Sequence, residues 1–409
     1  MVLAANAIVA QSGGPTAVIN NSVCGVVEEW FKSQKNHALG TIYGGVSGIK
    51  GILEGNIIDL EQQEAAAIAG LRHTPGAGLF SCRYKVQPQD QDALVALFKK
   101  YNIRYFFYNG GNDSMDTAHQ TYLAAQRAGY EMQVIGVPKT IDNDLPFTDH
   151  CPGFGSAAKY IATTVLETGI DLESVSTKNK VTILEAMGRN AGWLTAAGAL
   201  AKRDPDDAPH LLYLPEVAFD RERFLADVER VYKRLGYVYV VLSEGVADAN
   251  GEYLSAGATV DAFGHRQLSG AGIAAKDLIE QELGIKARCN TLGTAQRAAM
   301  HCAARCDADE AYMVGAAAVR YALAGENGKM VSIERISENP YQSAPGLVPL
   351  EQVANIEKKV PREWINADGN YIEPPFLTYA RPLIMGEVSL PMRDGLPDYR
   401  SLDFARGRL

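Results

Sequence analysis

The sequence predicts an α/β protein built on mostly parallel sheets, and two observations support this. Short apolar runs, rich in Val, Ile and Tyr and bounded by glycine or polar turns, alternate with stretches of helical periodicity. Runs of this length and composition favour buried parallel strands, and their alternation with helices is typical of right-handed βαβ units. The runs that we interpret as strands are residues 7–10, 105–108, 134–137, 181–184, 211–214 and 238–242.

Two helical stretches are the clearest. Residues 222–235 place Phe224, Val228 and Val231 at helical spacing. Residues 291–323 are rich in Ala, the strongest helix former, with charged residues interspersed. We therefore expect helices over both stretches.

The domain organisation follows from length and from the position of the prolines. A chain of 409 residues is long enough for two or three domains. A boundary is expected near residues 144–155, which are rich in Pro, Gly and polar side chains, and the proline-rich end predicts an irregular extension packed on the body. The expected divisions are residues 1–150, 151–330 and 331–409.

Charge and cysteine content exclude several classes of protein. Thirty-nine basic and 48 acidic residues leave a net charge of −9, so we expect no nucleic-acid or membrane partner and only a local site for any anion. The six cysteines are dispersed in a large chain, which indicates reduced thiols in the cytoplasm. The first residues lack a basic segment, and no apolar run approaches the length of a membrane span, so we expect neither a signal peptide nor a transmembrane helix.

The loops after the predicted strands are where chemistry is expected, because ligands of parallel sheets bind beyond the carboxyl ends of the strands. The first such loop contains Gly13 and Gly14, directly before a helix that begins near Ala17. Glycines let a ligand approach the backbone, and the free N–H groups of a helix N-terminus favour phosphate. A tight turn without a ligand is the alternative. The pattern matches neither the Walker motif nor the dinucleotide fingerprint.

The second loop carries Asn112, Asp113 and Ser114 ahead of a helix. Here a ligand site and a simple helix N-cap are equally compatible with the residues.

The third loop, residues 138–144, places a lysine beside two carboxylates, and this combination suits magnesium coordination or proton abstraction next to a phosphate. An acidic turn is the alternative there.

Three later loops add cations and a carboxylate. Arg189 lies where a helix is expected to open at about Ala191, and because the helix dipole opposes a cation there, it indicates an anion ligand. Glu244 and Arg297 follow in two further loops and are unremarkable alone. Cys302 and Cys306 are best explained by helix packing, since a metal site needs more ligands. This inventory favours phosphoryl transfer, which depends mainly on positioning and charge neutralisation.

The loop motifs together resemble those of the 6-phosphofructokinase family. Gly13-Gly14, Gly110 to Asp113, Pro138 to Asp144, Met187-Gly188-Arg189, Glu244 and Gly293 to Arg297 occur in that family's order and approximate spacing, over about residues 5–325. The resemblance implies two Rossmann-like three-layer lobes with the active site in the cleft between them. Residues 1–150, alone or completed by C-terminal segments, would form the phosphoryl-donor lobe and residues 151–330 the fructose 6-phosphate lobe.

The resemblance also implies roles for individual residues. Asp142 would accept the proton of the sugar 1-hydroxyl. The acceptor would be bound by Thr140, Ile141, Asp142, Met187, Gly188, Arg189, Glu244, Thr294 and Arg297, with Lys180 and Arg288 reaching it across a subunit interface. The donor would be bound by Gly13, Gly14, Arg83, Asn112 and Ser114, and Mg²⁺ by Asn112, Asp142 and Asp144.

The donor is implied by two positions. ATP-dependent members of the family carry glycine at the positions of Asp113 and Lys139, whereas pyrophosphate-dependent members resemble this chain at both. A carboxylate at Asp113 would repel a nucleotide α-phosphate, and Lys139 can neutralise charge on pyrophosphate in the transition state. The resemblance therefore implies a reversible pyrophosphate-dependent reaction of glycolysis and gluconeogenesis.

Several residues depart from the family pattern. Asn112 replaces an aspartate that usually binds magnesium, Lys180 replaces an arginine, and Thr294 replaces a histidine or tyrosine that contacts the sugar. Cys24 and Glu28 replace arginines of the allosteric effector site, which predicts a non-allosteric enzyme. Three alternatives stay open: ATP as donor, sedoheptulose 7-phosphate as acceptor, and a non-catalytic regulatory subunit. Self-association as a homodimer or homotetramer is expected if Lys180 and Arg288 act across an interface.

Overall fold

The computed structural model describes residues 4–177, 180–254 and 270–409, which divide into two compact units. Unit 1 consists of the described residues up to Ser156 together with Arg297–Glu357 and Gly386–Leu409. Unit 2 consists of the described residues of Ala157–Gln296 together with Lys358–Met385. Each unit has its own sheet and its own core.

Strands and helices alternate through most of the described residues, as the sequence predicts. The strands are β1 (Ala5–Gln11), β2 (Leu39–Gly45), β3 (Ile57–Asp59), β4 (Ile103–Gly110), β5 (Gln133–Pro138), β6 (Val181–Ala186), β7 (Leu211–Tyr213), β8 (Val238–Ser243), β9 (Ala287–Thr291), β10 (Lys329–Glu338), β11 (Tyr341–Pro349), β12 (Met392–Arg393) and β13 (Leu396–Pro397). The helices are α1 (Ile19–Gln34), α2 (Gly48–Leu53), α3 (Ala65–Leu71), α4 (Pro88–Lys100), α5 (Asn112–Arg127), α6 (Phe154–Ser174), α7 (Trp193–Ala197), α8 (Arg221–Leu235), α9 (Ala271–Leu283), α10 (Ala295–Ala298), α11 (Arg305–Leu323), α12 (Leu350–Val353) and α13 (Pro374–Ala380). All six predicted strands are confirmed.

The sheet of unit 1 has seven strands in the order β11-β10-β5-β4-β1-β2-β3. Its five central strands are parallel, and the two edge strands β3 and β11 are antiparallel to their neighbours. Successive side chains of a strand point to opposite faces, so Val9 and Phe107 enter one core and Ile8 and Phe106 the other. Helices α1 and α11 cover the first face and α4 and α5 the second, which confirms a three-layer α/β architecture.

The expected irregular extension after residue 330 is wrong over its first part. Residues 329–349 form the hairpin β10–β11, and β10 joins the sheet beside β5. The prolines of this region suggested irregular structure. Pro345 and Pro349, however, lie on the edge strand β11, where a missing backbone N–H breaks no necessary ladder hydrogen bond. Met330, Val331 and Ile333 are fully buried, so this segment belongs to the core of unit 1.

Helix α11 also belongs to unit 1, although the sequence assigned residues 151–330 to the second lobe. It packs across α1 at two glycines. A Cβ atom at Gly25 would lie 2.2 Å from the Tyr312 carbonyl oxygen, and one at Gly315 would lie 2.0 Å from that of Ser22. The Ala-rich stretch 291–323 is also not one helix, because β9 ends at Thr291 and α11 begins only at Arg305.

A buried ionic cluster joins the β10–β11 hairpin to the loop after β5. His150 lies between two carboxylates, with Nε2 2.6 Å from Glu310 and Nδ1 2.8 Å from Asp149. Arg335 pairs with Asp149 at 3.0 Å, and the Tyr341 hydroxyl donates to Glu310. Burial lowers the pKa of His150, but the two carboxylates outweigh this and raise it to about 9. The cluster therefore stabilises the hairpin chiefly while His150 carries its proton.

Unit 2 contains a four-stranded parallel sheet in the order β7-β8-β6-β9. Helix α8 confirms the predicted helix over 222–235. Asp220 caps its N-terminus by accepting from the Arg223 N–H, and Gly236 ends it with a φ of 80°. Strand β9 escaped the sequence analysis because most of its side chains are polar or exposed.

None of the helices in the described residues is long and apolar enough to cross a lipid bilayer.

Candidate active site

Three cationic side chains converge on the glycine loop that follows β1. The Lys139 ammonium donates a 2.7 Å hydrogen bond to the Gly14 carbonyl oxygen. A Cβ atom at Gly14 would lie 2.9 Å from Nη1 of Arg297 and 3.9 Å from Nη2 of Arg83, and one at Gly13 would lie 3.3 Å from the Lys139 ammonium. These glycines therefore leave room for the cations beside the backbone. Arg297, which the family resemblance assigns to the sugar, lies against this glycine loop.

Lys139 is the most buried of these cations, with 4% of its surface exposed. Burial lowers its pKa to about 8; the nearby charges of Asp142 and Asp144 partly oppose this, whereas those of Arg297 and Arg83 reinforce it. The amine is thus mostly charged at neutral pH but close to its titration range. A bound phosphate would stabilise the charged form, because opposite charges at short distance favour ionisation.

The loop after β5 holds Asp142 in a fixed turn. The Thr140 N–H donates to the Pro152 carbonyl at 3.2 Å, and the Asp142 N–H donates to the Thr140 hydroxyl at 3.0 Å. Asn143 adopts a left-handed conformation with φ of 54°, which asparagine tolerates better than most residues, and its side chain accepts from the Cys151 N–H. These bonds position the carboxylate directly after the strand that also carries Lys139.

Asp144 supplies a second carboxylate near Asp142. Burial, reinforced by the charges of Asp142 and Glu357, raises its pKa to about 7. Its Oδ1 atom is buried and has no hydrogen-bond partner in the part of the chain that the structure describes. An orphaned carboxylate oxygen beside a second carboxylate suits a hard cation such as Mg²⁺, which takes oxygen ligands.

The two carboxylates of Asp142 and Asp144 suit magnesium and do not suit a cation whose ligands must all come from protein side chains. Within residues 4–177, 180–254 and 270–409, no three His, Cys, Asp or Glu side chains are arranged to hold a metal ion. Mg²⁺ is usually bound through one or two carboxylates, waters and substrate phosphates. Asp142 and Asp144 meet that requirement.

The second loop forms the first turn of α5. The helix begins at Asn112, and its N-cap is Gly111, so neither Asp113 nor Ser114 is the cap. Ser114 is buried against Gly110, and the Asn112 amide nitrogen donates to the Ile356 carbonyl. Asn112 therefore holds the backbone next to Glu357, a residue that the sequence analysis missed because it lies more than 200 positions away.

In unit 2, Arg189 and Glu244 lie at the carboxyl ends of β6 and β8. Burial raises the pKa of Glu244 to about 7, although the Arg189 charge opposes this. Nε of Arg189 is buried and has no hydrogen-bond partner among the described residues. A Cβ atom at Gly245 would lie 1.8 Å from the Arg189 carbonyl oxygen, so only glycine allows this approach. This buried N–H group without a partner indicates an anion ligand. The expectation that Arg189 opens a helix is wrong, because α7 begins only at Trp193, so the helix dipole gives no further support.

Two polar side chains to which the sequence analysis assigned no role support the Met187-Gly188 turn. The Met187 N–H donates to the Gln296 side chain at 3.0 Å, and the Ser243 hydroxyl donates to the Gly188 carbonyl at 2.7 Å. Both partners lie within or beside the loops that the sequence singled out. Thr294 is exposed, and Ile141, in unit 1, is buried with 7% of its surface exposed.

Within one chain, the structure does not bring Lys180 and Arg288 close to Met187 and Arg189. Lys180 precedes β6 and lies over the Tyr232 ring at 5.9 Å, whereas Met187 follows the same strand. Seven residues of extended chain separate them by about 20 Å. Arg288 is exposed near the start of the adjacent strand β9. Both cations therefore lie at the amino end of the sheet, opposite to Arg189.

The effector positions are filled by contacts within unit 1. The buried Cys24 thiol donates to the Ile68 carbonyl, and Glu28 accepts a 2.8 Å hydrogen bond from the Tyr312 hydroxyl. Cys24 and Glu28, which stand at the positions of the family's effector-binding arginines, thus take part in the packing between α1, α3 and α11.

Comparison with known proteins agrees with these motifs. The family model described as phosphofructokinase matches residues 6–322. The chain belongs to the phosphofructokinase family. A pyrophosphate–fructose 6-phosphate 1-phosphotransferase from Halomonas elongata is 46% identical over 97% of this chain and 96% of its own length.

A solved structure and a more distant relative extend the comparison. The crystal structure of a pyrophosphate-dependent phosphofructokinase from Marinobacter aquaeolei matches with a TM-score of 0.90 and 43% identity, covering 98% of this chain and 97% of the other. A sulfofructose kinase from Alkalicoccus urumqiensis is 33% identical over 89% of this chain and 93% of its own length. The resemblance inferred from the loops is therefore confirmed.

Proposed function

We propose that this phosphofructokinase transfers a phosphoryl group reversibly from pyrophosphate to the 1-hydroxyl of fructose 6-phosphate, giving fructose 1,6-bisphosphate and orthophosphate. The observation that carries the proposal is the buried Lys139 ammonium bonded to Gly14 and flanked by Arg83 and Arg297. Relatives of nearly equal length, 45–46% identical, bear the name of this activity. The corresponding enzyme class is EC 2.7.1.90.

The donor assignment rests on charge. Pyrophosphate is small and highly anionic, and Lys139, Arg83 and Arg297 supply cationic groups within reach of the Gly13-Gly14 backbone. Asp113 stands in the first turn of α5, where the helix dipole favours its negative charge. A carboxylate there repels the additional phosphate of a nucleotide and so selects against ATP.

Asp142 is the proposed base. Its backbone is fixed by Thr140, so the carboxylate can receive the proton of the sugar 1-hydroxyl while the hydroxyl oxygen bonds to the transferred phosphorus. The bridging P–O bond of pyrophosphate breaks, and orthophosphate leaves. Lys139 neutralises the charge that develops on the phosphate groups. Because donor and leaving group are both simple phosphates, the reaction runs in either direction.

We propose Mg²⁺ as the cofactor, held by Asp142 and Asp144 with the Asn112 side-chain oxygen as a weaker ligand. The orphaned Oδ1 of Asp144 supports this assignment. When bound, the ion neutralises and orients the pyrophosphate oxygens. The protein itself fixes the two carboxylates after β5 and anchors Asn112 through Ile356.

Fructose 6-phosphate is the proposed acceptor, bound by Met187, Gly188, Arg189 and Glu244. Because Lys180 and Arg288 lie at the opposite end of the sheet of unit 2, they can serve an acceptor only from another subunit, which supports a homo-oligomer. We also place the enzyme in the cytoplasm, since the six cysteines, all of them among the described residues, are reduced thiols.

A matrix of donors and acceptors tests the proposal. Purified protein with Mg²⁺ should turn over fructose 6-phosphate with pyrophosphate, and ATP should be a much poorer donor. Turnover with ATP but not with pyrophosphate would refute the donor assignment. Sedoheptulose 7-phosphate belongs in the matrix because Thr294 departs from the family pattern and a relative carries another acceptor in its name. A higher kcat/KM for sedoheptulose 7-phosphate than for fructose 6-phosphate would make it the assigned acceptor.

A further inference from the structure

We infer that residues 398–409, here named the C-terminal segment, position the loop that binds the pyrophosphate donor. The inference rests on the proposed function, because it assigns the Gly13-Gly14 loop to that donor. Two sets of contacts connect the segment with this loop, and all of their residues lie in unit 1.

The segment is fixed along the edge of the sheet of unit 1. The Asp59 N–H donates to the Gly407 carbonyl at 2.7 Å, and the Leu409 N–H donates to the Ile57 carbonyl at 3.1 Å. Arg408 forms an antiparallel bridge with Ile58 of the edge strand β3. The segment therefore pairs with backbone groups that an edge strand otherwise exposes.

Gln63 fixes the turn that carries Phe404. Its buried side chain donates to the carbonyls of Asp403 and Arg406 and accepts from the Asp403 N–H at 2.8 Å. The Phe404 ring then stacks on Phe80, with 4.7 Å between centroids and 24° between planes. Phe80 has a φ of 56°, a left-handed conformation that a bulky side chain rarely adopts. The stacking contact stabilises this disfavoured conformation.

The conformation of Phe80 sets the course of the residues that hold the donor loop. The Ser81 hydroxyl donates to the Gly13 carbonyl at 2.6 Å, and the Gly13 N–H donates to the Cys82 carbonyl at 3.1 Å. Arg83, one of the three cations at the loop, follows directly. A change at Phe80 should therefore move the groups on both sides of Gly13.

A second set of contacts runs through Thr74 and Asn20. The Arg400 N–H donates to the Thr74 hydroxyl at 3.0 Å, and the Asn20 side chain donates to the Thr74 carbonyl at 2.8 Å. The Asn20 side-chain oxygen accepts from the Gly78 N–H and from Gln11, the last residue of β1. Asn20 and Gln11 are almost fully buried, so these bonds fix the backbone immediately before the donor loop.

The contacts end at the donor loop, and the acceptor residues Arg189 and Glu244 take part in neither set. Loss of the Phe404 ring should therefore weaken binding of the donor and leave the acceptor unaffected. A general loss of stability would instead affect both substrates.

The test is the variant Phe404→Ala, assayed at full length with Mg²⁺. We expect KM for pyrophosphate to rise about tenfold, with kcat and KM for fructose 6-phosphate within about twofold of the wild type. Phe404→Tyr keeps the ring and should restore the wild-type value. Met392→Ala removes an exposed apolar side chain from β12 and should change neither KM. An unchanged KM for pyrophosphate in Phe404→Ala, or an equal rise in both KM values, would overturn the inference.

Two further measurements keep the test decisive. Phe80→Ala removes the other ring and carries the test if Phe404→Ala does not fold, and the double variant should lose no more pyrophosphate binding than either single variant. Calorimetric titration of the wild type with pyrophosphate distinguishes failure of the proposed function from failure of the positioning role. If the wild type does not bind pyrophosphate, the proposed function fails; if it does and the Phe80 and Phe404 variants bind it equally well, only the positioning role fails.

Discussion

The buried ammonium of Lys139 should give the enzyme a distinctive dependence on pH. Burial lowers its pKa to about 8, so it is mostly charged at pH 7 and only about one tenth charged one unit above its pKa. The value of kcat/KM for pyrophosphate reports ionisations of the enzyme form that binds pyrophosphate. We therefore expect kcat/KM for pyrophosphate to be roughly tenfold lower at pH 9 than at pH 7.

The assay compares the wild type with Lys139→Arg from about pH 6.5 to about pH 9.5 at saturating fructose 6-phosphate. A guanidinium stays charged over this range, so the variant should lack the alkaline decrease even if its overall activity is lower. Pyrophosphate itself titrates, but it does so equally for both proteins, and the ratio of their kcat/KM values isolates Lys139. Lys139→Met, which has no charge, should lose about 10²–10³-fold in kcat.

Two results would refute the role of Lys139. The first is an alkaline decrease of the same size in the wild type and in Lys139→Arg. The second is a Lys139→Met variant that retains most of the wild-type kcat.

Variants at three other places in the chain test the donor selectivity, the packing of α11 and the buried ionic cluster. Asp113→Gly combined with Lys139→Gly should weaken pyrophosphate use and admit ATP, and unchanged pyrophosphate kinetics would remove both assigned roles. Gly315→Ala should lower the free energy of unfolding by about 1–3 kcal/mol in urea, because the added methyl group meets the backbone of α1; an unchanged midpoint would contradict this packing. The raised pKa of His150 means that the folded state binds its proton more tightly, so the stability that this group contributes is complete below about pH 6.5 and is lost as the pH rises through about 9. Urea unfolding across this range should show the decrease in the wild type and not in His150→Gln; equal slopes would assign it to other groups.

The sequence was informative where a segment carries its own signal. Strands such as β6 and β8 are continuous apolar runs, and the residues that follow them are the ones that a parallel sheet presents to a ligand. Asp142 and Lys139 could therefore be chosen as candidate site residues from their position after β5 alone, and the family resemblance implied the roles proposed for them.

Features that depend on distant partners could not be predicted in this way. Strand β10 owes its place to pairing with β5, almost 200 residues earlier, and α11 owes its place to close contact at Gly25 and Gly315. Gln296 supports Met187 across 109 positions. Nothing in the local sequence marks such side chains, because ordinary polar and small residues acquire these roles only when the chain folds.

The reverse reaction is the strictest test of orthophosphate and pyrophosphate as leaving group and donor. Purified protein is incubated with fructose 1,6-bisphosphate, Mg²⁺ and orthophosphate, and the products are followed by phosphorus NMR. We expect pyrophosphate and fructose 6-phosphate to form, and the same mixture to be reached from either side. Absence of pyrophosphate from this incubation, with ADP instead of orthophosphate supporting reversal, would contradict it.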